Sequence, residues 1–415
     1  MMGQLLGVDS TLARATSVAE LPVAIRPRVE AVDLLRGVVM VLMALDHARD
    51  FVSDARFDPL DLSRTTGALF LTRWVTHFCA PVFLFLAGTG AFLSAARGKT
   101  RSQLAWFLLT RGLWLVALEF TLVHLGWFFN LDYRLLLGQV IWAIGCSMLA
   151  LAGLVFLPTW AVAALGVALI ASHNLFDGVR ADSLGSFRWL WVAFVSSSFT
   201  DGPLELWPGV YFFVAYPLLP WLGVMAAGYG FGCLWLLDRG PRRRWLLGLG
   251  AGLTLLFVVL RAVNRYGDPS PWSAQPSGLF TFFSFLNTSK YPPSLLFLLM
   301  TLGPALLALA LFDRPSGPLS HVFVTFGRVP LFFYLLHLPL IHLVALGLAS
   351  ARYGEVGFMF QNVAFAGPGQ LPAGYGYGLP VVYLVWFSVV VTLYPACRWF
   401  SGLKSRRRTV WLSYL

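Results

Sequence analysis

The sequence predicts an all-α polytopic membrane protein, and three observations carry that reading. Hydrophobic residues make up 58% of the 415 residues. Charged residues make up only 12%, about half the usual share of a soluble domain. The mean hydropathy is +0.73. Such a chain has too little polar surface to cover itself in water, which excludes a soluble enzyme, a disordered chain and a disulfide scaffold.

Apolar stretches of about 20 residues mark membrane-crossing helices. Ten are predicted: 31–51, 68–94, 104–126, 135–156, 158–175, 207–236, 245–263, 293–312, 322–349 and 380–400. The sixth is too long for one straight helix and contains Pro208, Pro217 and Pro220, so it is expected to kink or to begin at the interface. Phe187–Phe199, aromatic and serine-rich, is expected to lie along the interface. No internal repeat or linker divides the chain. The expected organisation is an N-terminal tail (1–30), one membrane domain (31–400) and a basic C-terminal tail (401–415). No segment with the pattern of a cleaved signal is found, so the first span is expected to direct insertion.

The net charge of +11 would suggest nucleic acid in a soluble protein. Here it follows the positive-inside rule instead, and no nucleic-acid partner is expected. Arg14, Arg26, Arg28, Arg97, Lys99, Arg101, Arg239, Arg242, Arg243, Arg244, Arg314, Arg328, Arg398, Lys404, Arg406, Arg407 and Arg408 fall on one side. The other side has fewer basic residues spread over longer loops, which places both termini in the cytoplasm. The long loops (about 52–67, 176–206, 264–292 and 351–379) then face outward, where their length and their aromatic residues point to function. Cys79, Cys146, Cys233 and Cys397 lie far apart in apolar stretches and read as free thiols. No zinc-ligand cluster, P-loop, GxSxG elbow or dinucleotide fingerprint occurs, so no metal is expected.

Ionisable groups inside spans are costly and mark candidate sites. In VDLLRGVVMVLMALDHARDF, Arg36 and His47 are eleven residues apart. On a helix that places them about 20° apart in azimuth and about 16.5 Å apart along the axis. The spacing suits an elongated ligand whose anionic head lies inward and whose reactive end points outward. Asp50, three residues after His47, is within reach to orient it, whereas Asp46 is better placed for Arg49. Arg73 and His77, four apart, share a face, and Pro81 interrupts the helix one turn later. Glu119 calls for a cationic partner, with Arg111 or Arg73 available. His337 and His342 flank Pro339 but lie on different faces, and His337 is the deeper. The competing reading for each is structural: a polar helix end at the interface, a snorkelling arginine or a buried ion pair.

Several blocks in order carry a resemblance: DLLRGVVMVLMALDH, LTRWVTHFCAPVFLFLAGTGAFL, YPLLPWLGVMAAGYGFG, SKYPPSLLFLLMTLG and GRVPLFFYLLHLPLIH. Together, over about residues 28–400, they resemble the bacterial DUF1624 family, which is related to the catalytic domain of heparan-α-glucosaminide N-acetyltransferase. Arg36 and His47 also resemble the Arg-x10-His motif of the acyltransferase-3 membrane O-acyltransferases. The resemblance implies transfer of an acyl group, usually acetyl, from cytosolic acetyl-CoA or another acyl-CoA to an extracytoplasmic sugar or glycan. It further implies a multi-pass protein of the bacterial inner membrane, embedded in the lipid bilayer, and points to a homodimer.

By the acyltransferase-3 pattern the catalytic histidine is His47. By the heparan enzyme it lies in the stretch leading to the second span, where loop 52–67 here has no histidine and the nearest is His77. The expected site therefore comprises His47, Asp46, Asp50 and His77 for catalysis. Arg36, Arg73, Arg111, Lys290 and Arg328 are expected to bind the donor or its developing charge, and Glu119 and His337 the acceptor. Direct transfer and a covalent acyl-histidine both fit the residues. A transporter or flippase for a small metabolite or lipid-linked sugar is the alternative from another class, although no inverted repeat supports it.

Overall fold

The computed structural model describes residues 29–313, 317–361, 363, 366, 369–407, 412 and 414. Most of the tail 1–30, and Arg14, Arg26, Arg28, Arg314 and Arg408 with it, lies outside the described residues. The protein is 72% helix with little sheet. Eight helices, among the described residues, are long and apolar enough to cross a membrane.

The bundle is built on α1 (Glu30–Val52), whose buried residues run along most of its length. Next come α2 (Gly67–Thr76) and α3 (Cys79–Ala95). These two were expected as one span, and they are offset at His77–Phe78 because Pro81 has no N–H for the His77 carbonyl. Helix α4 (Arg101–Leu118) passes through a wide π turn (Glu119–Val123) into α5 (His124–Phe128). Helices α6 (Val140–Leu154) and α7 (Thr159–Ser172) follow. A short α8 (Arg188–Phe194) leaves Phe187, Trp189, Phe194 and Phe199 exposed around it. The remaining long helices are α9 (Leu218–Phe231), α10 (Arg239–Val263), α12 (Leu295–Phe312), α14 (Pro330–Tyr353) and α15 (Leu379–Arg406). Between them lie α11 (Gly278–Leu286) and α13 (Pro318–Arg328).

Three expected spans require correction. Leu135–Gly138, read as the start of a helix, is strand β1, and the start of the sixth stretch belongs to β2 (Leu204–Trp207) and β3 (Val210–Val214). β3 pairs in parallel with β1 and antiparallel with β2. VYFFV is rich in aromatic and β-branched residues, and short apolar runs do not distinguish strand from helix by periodicity. The stretch 322–349 is two helices, because Pro330 ends α13 and starts α14.

Apolar side chains on α10 and α15 remain exposed, Leu255 at 63% and Leu384 at 64%. That surface suits lipid. Inside lipid, helices gain little from burying one apolar face against another, so they associate by close approach over small residues. At the crossing of α1 and α13, a Cβ on Gly37 would stand 1.8 Å from the Phe323 carbonyl oxygen, and one on Gly327 would stand 1.8 Å from the Asp33 oxygen. Gly88 of α3 and Gly228 of α9 meet the same way. Gly327→Ala is therefore expected to force the two helices apart and to cost at least 1–3 kcal/mol, about the usual range for overpacking. Gly402→Ala, with nothing within 4 Å of its Cβ, should be silent. Thermal unfolding of both variants in detergent checks this, and equal midpoints would contradict it.

Candidate active site

Two cavities lie at opposite ends of α1. The first, of about 480 Å3, is bounded by the N-terminal half of α1, by α3, α4 and α6, and by the start of α14. Its walls are mostly apolar, but Arg36, Arg97 and Arg111 line it. The second, of about 840 Å3, is polar and lies around the C-terminal half of α1. All four long loops contribute to it, through Ala55–Asp61, Phe199, Asn287–Tyr291 and Ala366, among others. The two cavities share three lining residues, Met43, Phe83 and Val140.

Arg36 and His47 therefore sit on the first and second cavities respectively, as a continuous helix requires of residues three turns apart. Arg36 donates to Asp33 Oδ1 at 3.2 Å and to the Gly327 carbonyl at 3.1 Å. Arg328 lies outside the cavity lining, within 3.7 Å of Glu30 and 3.9 Å of Asp33. It braces the start of α1.

The second cavity holds His47, Asp46, Asp50, Arg73, His77 and Lys290 together. Asp46 is the hub of an ion network. Arg73 Nη1 reaches both of its oxygens, at 2.8 and 2.7 Å, Arg49 donates at 2.9 Å, and the Thr76 hydroxyl lies 3.0 Å away. The expected pairing of Asp46 with Arg49 is thus present. The expected pairing of Asp50 with His47 is not, because Asp50 accepts from Arg49 at 2.6 Å. The fixed guanidinium next to it outcompetes a neutral ring. Arg73, held by Asp46, lines the second cavity and not the first, where Arg36, Arg97 and Arg111 lie.

The partner of His47 is instead His337, Nδ1 to Nε2 at 2.8 Å. Trp127 packs edge-on against His47 at 5.1 Å between centroids. His337 is fully buried and lines neither cavity, so it does not face an acceptor as expected. His77 is also buried, and among the described residues neither of its ring nitrogens has a hydrogen-bond partner. It lines the second cavity one helix end away from Arg73.

Glu119 lines neither cavity, and among the described residues it has no cationic partner. Its carboxylate accepts from the Trp142 amide at 2.7 Å, at the third residue of α6. No side chain at Gln139 caps that helix, so Glu119 satisfies an otherwise orphaned donor at the positive end of the helix dipole.

Lys290 sits on a braced loop. Asp268 Oδ2 accepts from the Ser289 amide at 2.9 Å and from the Ser294 hydroxyl at 2.6 Å. Arg261, only 1% exposed, donates to the Phe285, Ser270 and Ser284 carbonyls. Burial raises the Asp268 carboxyl above its ordinary pKa, against the pull of these hydrogen bonds. Lys290 Nζ lies 5.1 Å from the Tyr291 ring centroid.

Sequence reasoning missed Tyr334. Its hydroxyl is buried with no hydrogen-bond partner among the described residues, it lines the first cavity, and its ring stands edge-on to both His47 and His337. The available signal was its position one turn before His337.

Chemically, this is a histidine at the meeting point of an apolar cavity lined with arginines and a polar one. None of the curated proteins compared matches the chain. Residues 28–258, more than half of its length, match the family model described as heparan-alpha-glucosaminide N-acetyltransferase, catalytic. They span the first cavity's arginines, the Asp46 network and His47, and the chain therefore belongs to this family of membrane acetyltransferases.

Proposed function

We propose that the protein transfers an acetyl group from cytosolic acetyl-CoA to a hydroxyl or amine of a sugar or glycan on the far side of the membrane, with His47 as general base. The observation that carries this reading is the pair of cavities that meet at Met43, Phe83 and Val140 beside His47. In this reading ten helices cross the bilayer, α1 and α6 among them, and both termini are cytoplasmic. The first cavity is then the inner one. It suits a pantetheine arm along its apolar wall, with Arg36 and Arg111 facing the phosphates. The second cavity opens outward and receives the acceptor.

His47 takes the proton from the acceptor oxygen or nitrogen as that atom bonds to the thioester carbonyl carbon. The carbon–sulfur bond breaks, and His47 returns the proton to the departing sulfur. Lys290 and His77 are the groups available to support the developing oxyanion, since Arg73 is committed to Asp46. No side chain need be acylated. Asp46 acts at one remove, by fixing Arg73 and Arg49 beside the acceptor.

Thermal shift in detergent tests the donor site. Acetyl-CoA at 100 times its Kd should stabilise the protein by about 2.7 kcal/mol. Arg36→Ala should weaken binding by about tenfold or more, as expected for a lost charge-assisted hydrogen bond, while His47→Ala should leave it unchanged. Absence of any shift at millimolar acetyl-CoA would reject the inner donor site. Acceptor flux without acetyl-CoA consumption would establish a transporter instead.

A further inference from the structure

We infer that His337 is a positioning residue that sets the tautomer of His47 through a hydrogen-bonded chain ending on the Phe333 carbonyl. The inference rests on the reading of His47 as the base. It starts from an atom whose role is fixed. The Phe333 carbonyl oxygen can only accept, and His337 Nδ1 lies 3.0 Å from it. The hydrogen of neutral His337 is therefore on Nδ1, which leaves Nε2 as an acceptor. His47 Nδ1 lies 2.8 Å from that Nε2, so His47 must donate there. Its own Nε2 is then the unprotonated nitrogen.

The ring geometry fits such a bond. The two planes differ by 13° and the centroids are 5.0 Å apart. With nitrogens 2.8 Å apart, the rings meet edge to edge rather than face to face, so the N–H lies near both ring planes. Phe333 stacks on a face of His337 at an interplanar angle of 1°, which locks the ring. The alternative, a doubly protonated His337, would place a cation with no exposure among Phe333 and Tyr334, and among the described residues no carboxylate hydrogen-bonds to it. An unpaired charge there is far costlier than the neutral chain.

The chain does two things for His47. It leaves the lone pair of Nε2 free, so the ring can act as a base without first changing tautomer. When Nε2 takes the proton, the Nδ1–H bond becomes charge-assisted and strengthens at the moment the cation forms. A buried backbone carbonyl and a second histidine thus do for His47 the work that carboxylates do in other sites.

The test uses the full chain in detergent, with 15N-labelled histidine and acetyl-CoA as the donor. Seven histidines make the spectrum tractable. The expected spectrum shows both His47 and His337 as Nδ1–H tautomers, assigned by the loss of each signal in His47→Gln and His337→Gln. His337→Phe removes the acceptor. Transfer to the acceptor in use should then fall about 100-fold or more in kcat, with the KM for acetyl-CoA unchanged and the His47 tautomer no longer fixed. His337→Gln, whose amide oxygen can accept from His47, should stay within about tenfold of native. A native His47 in the Nε2–H form, or a His337→Phe variant with native kcat, overturns the inference. If the native protein transfers nothing, the proposed function fails, while the spectrum still decides the tautomer chain. If His337→Phe does not fold, the native spectrum and the glutamine variant decide it.

Discussion

Replacing His47 with alanine is expected to lower acetyl transfer by about 10²- to 10⁴-fold, the usual contribution of a general base. The loss should appear in kcat, because the inner cavity keeps its arginines. Alanine also leaves His337 Nε2 without its donor and opens a gap beside Trp127, so a fall in stability would confuse the reading. His47→Gln separates the two effects. Its amide N–H can still donate to His337, but glutamine has no nitrogen that can take a proton near neutral pH. Both variants should lose transfer, and only alanine should lose stability. Transfer within a few-fold of native in His47→Gln would move the assignment to His77, which lines the same cavity and has no hydrogen-bond partner among the described residues.

The largest effect on stability is expected at Asp46. Its carboxylate offsets Arg73 and Arg49, whose side chains are 12% and 8% exposed. Asp46→Ala removes the anion and leaves two guanidinium groups with Asp50 alone. Breaking a buried pair by deleting one partner costs about 3–5 kcal/mol, because the remaining charge loses its compensation. Asp46→Asn keeps the shape and should cost less. Deleting both charges in Asp46→Asn/Arg73→Gln should recover part of the loss, because these neighbours couple. Unfolding midpoints of the single and double variants in detergent give the coupling. A loss below 1 kcal/mol in Asp46→Ala would mean that water in the second cavity, not the ion network, carries these charges.

Much of this was legible in the sequence, for identifiable reasons. Apolar length gave the long helices, and helical geometry alone placed Arg36 and His47 on separate stations of one helix. What the sequence missed depends on contacts between distant segments. Nothing local pairs His47 with His337, which is 290 residues further on. Glu119 read as an ion-pair partner because a lone carboxylate in a span demands compensation, but helix α6 supplies its backbone amides instead. Asp50 and His47 are correctly spaced for a bond, yet Arg49 between them binds the carboxylate first. Arg261 is an ordinary helix-end arginine in sequence and a buried brace for the Lys290 loop in the fold.

Met43, Phe83 and Val140 have a consequence beyond shaping the two cavities. All three are apolar, and each lines both cavities. A thioester suits such an apolar junction, but a hydrated ion would have to shed its water to pass it, at a cost of several kcal/mol. On the proposed reaction, the acetyl group is handed over at this junction while the thiol returns to the side it came from. If the proposed reaction holds, such a junction would let the acetyl group pass while opposing the leak of ions, so that molecules outside could be decorated without draining ion gradients.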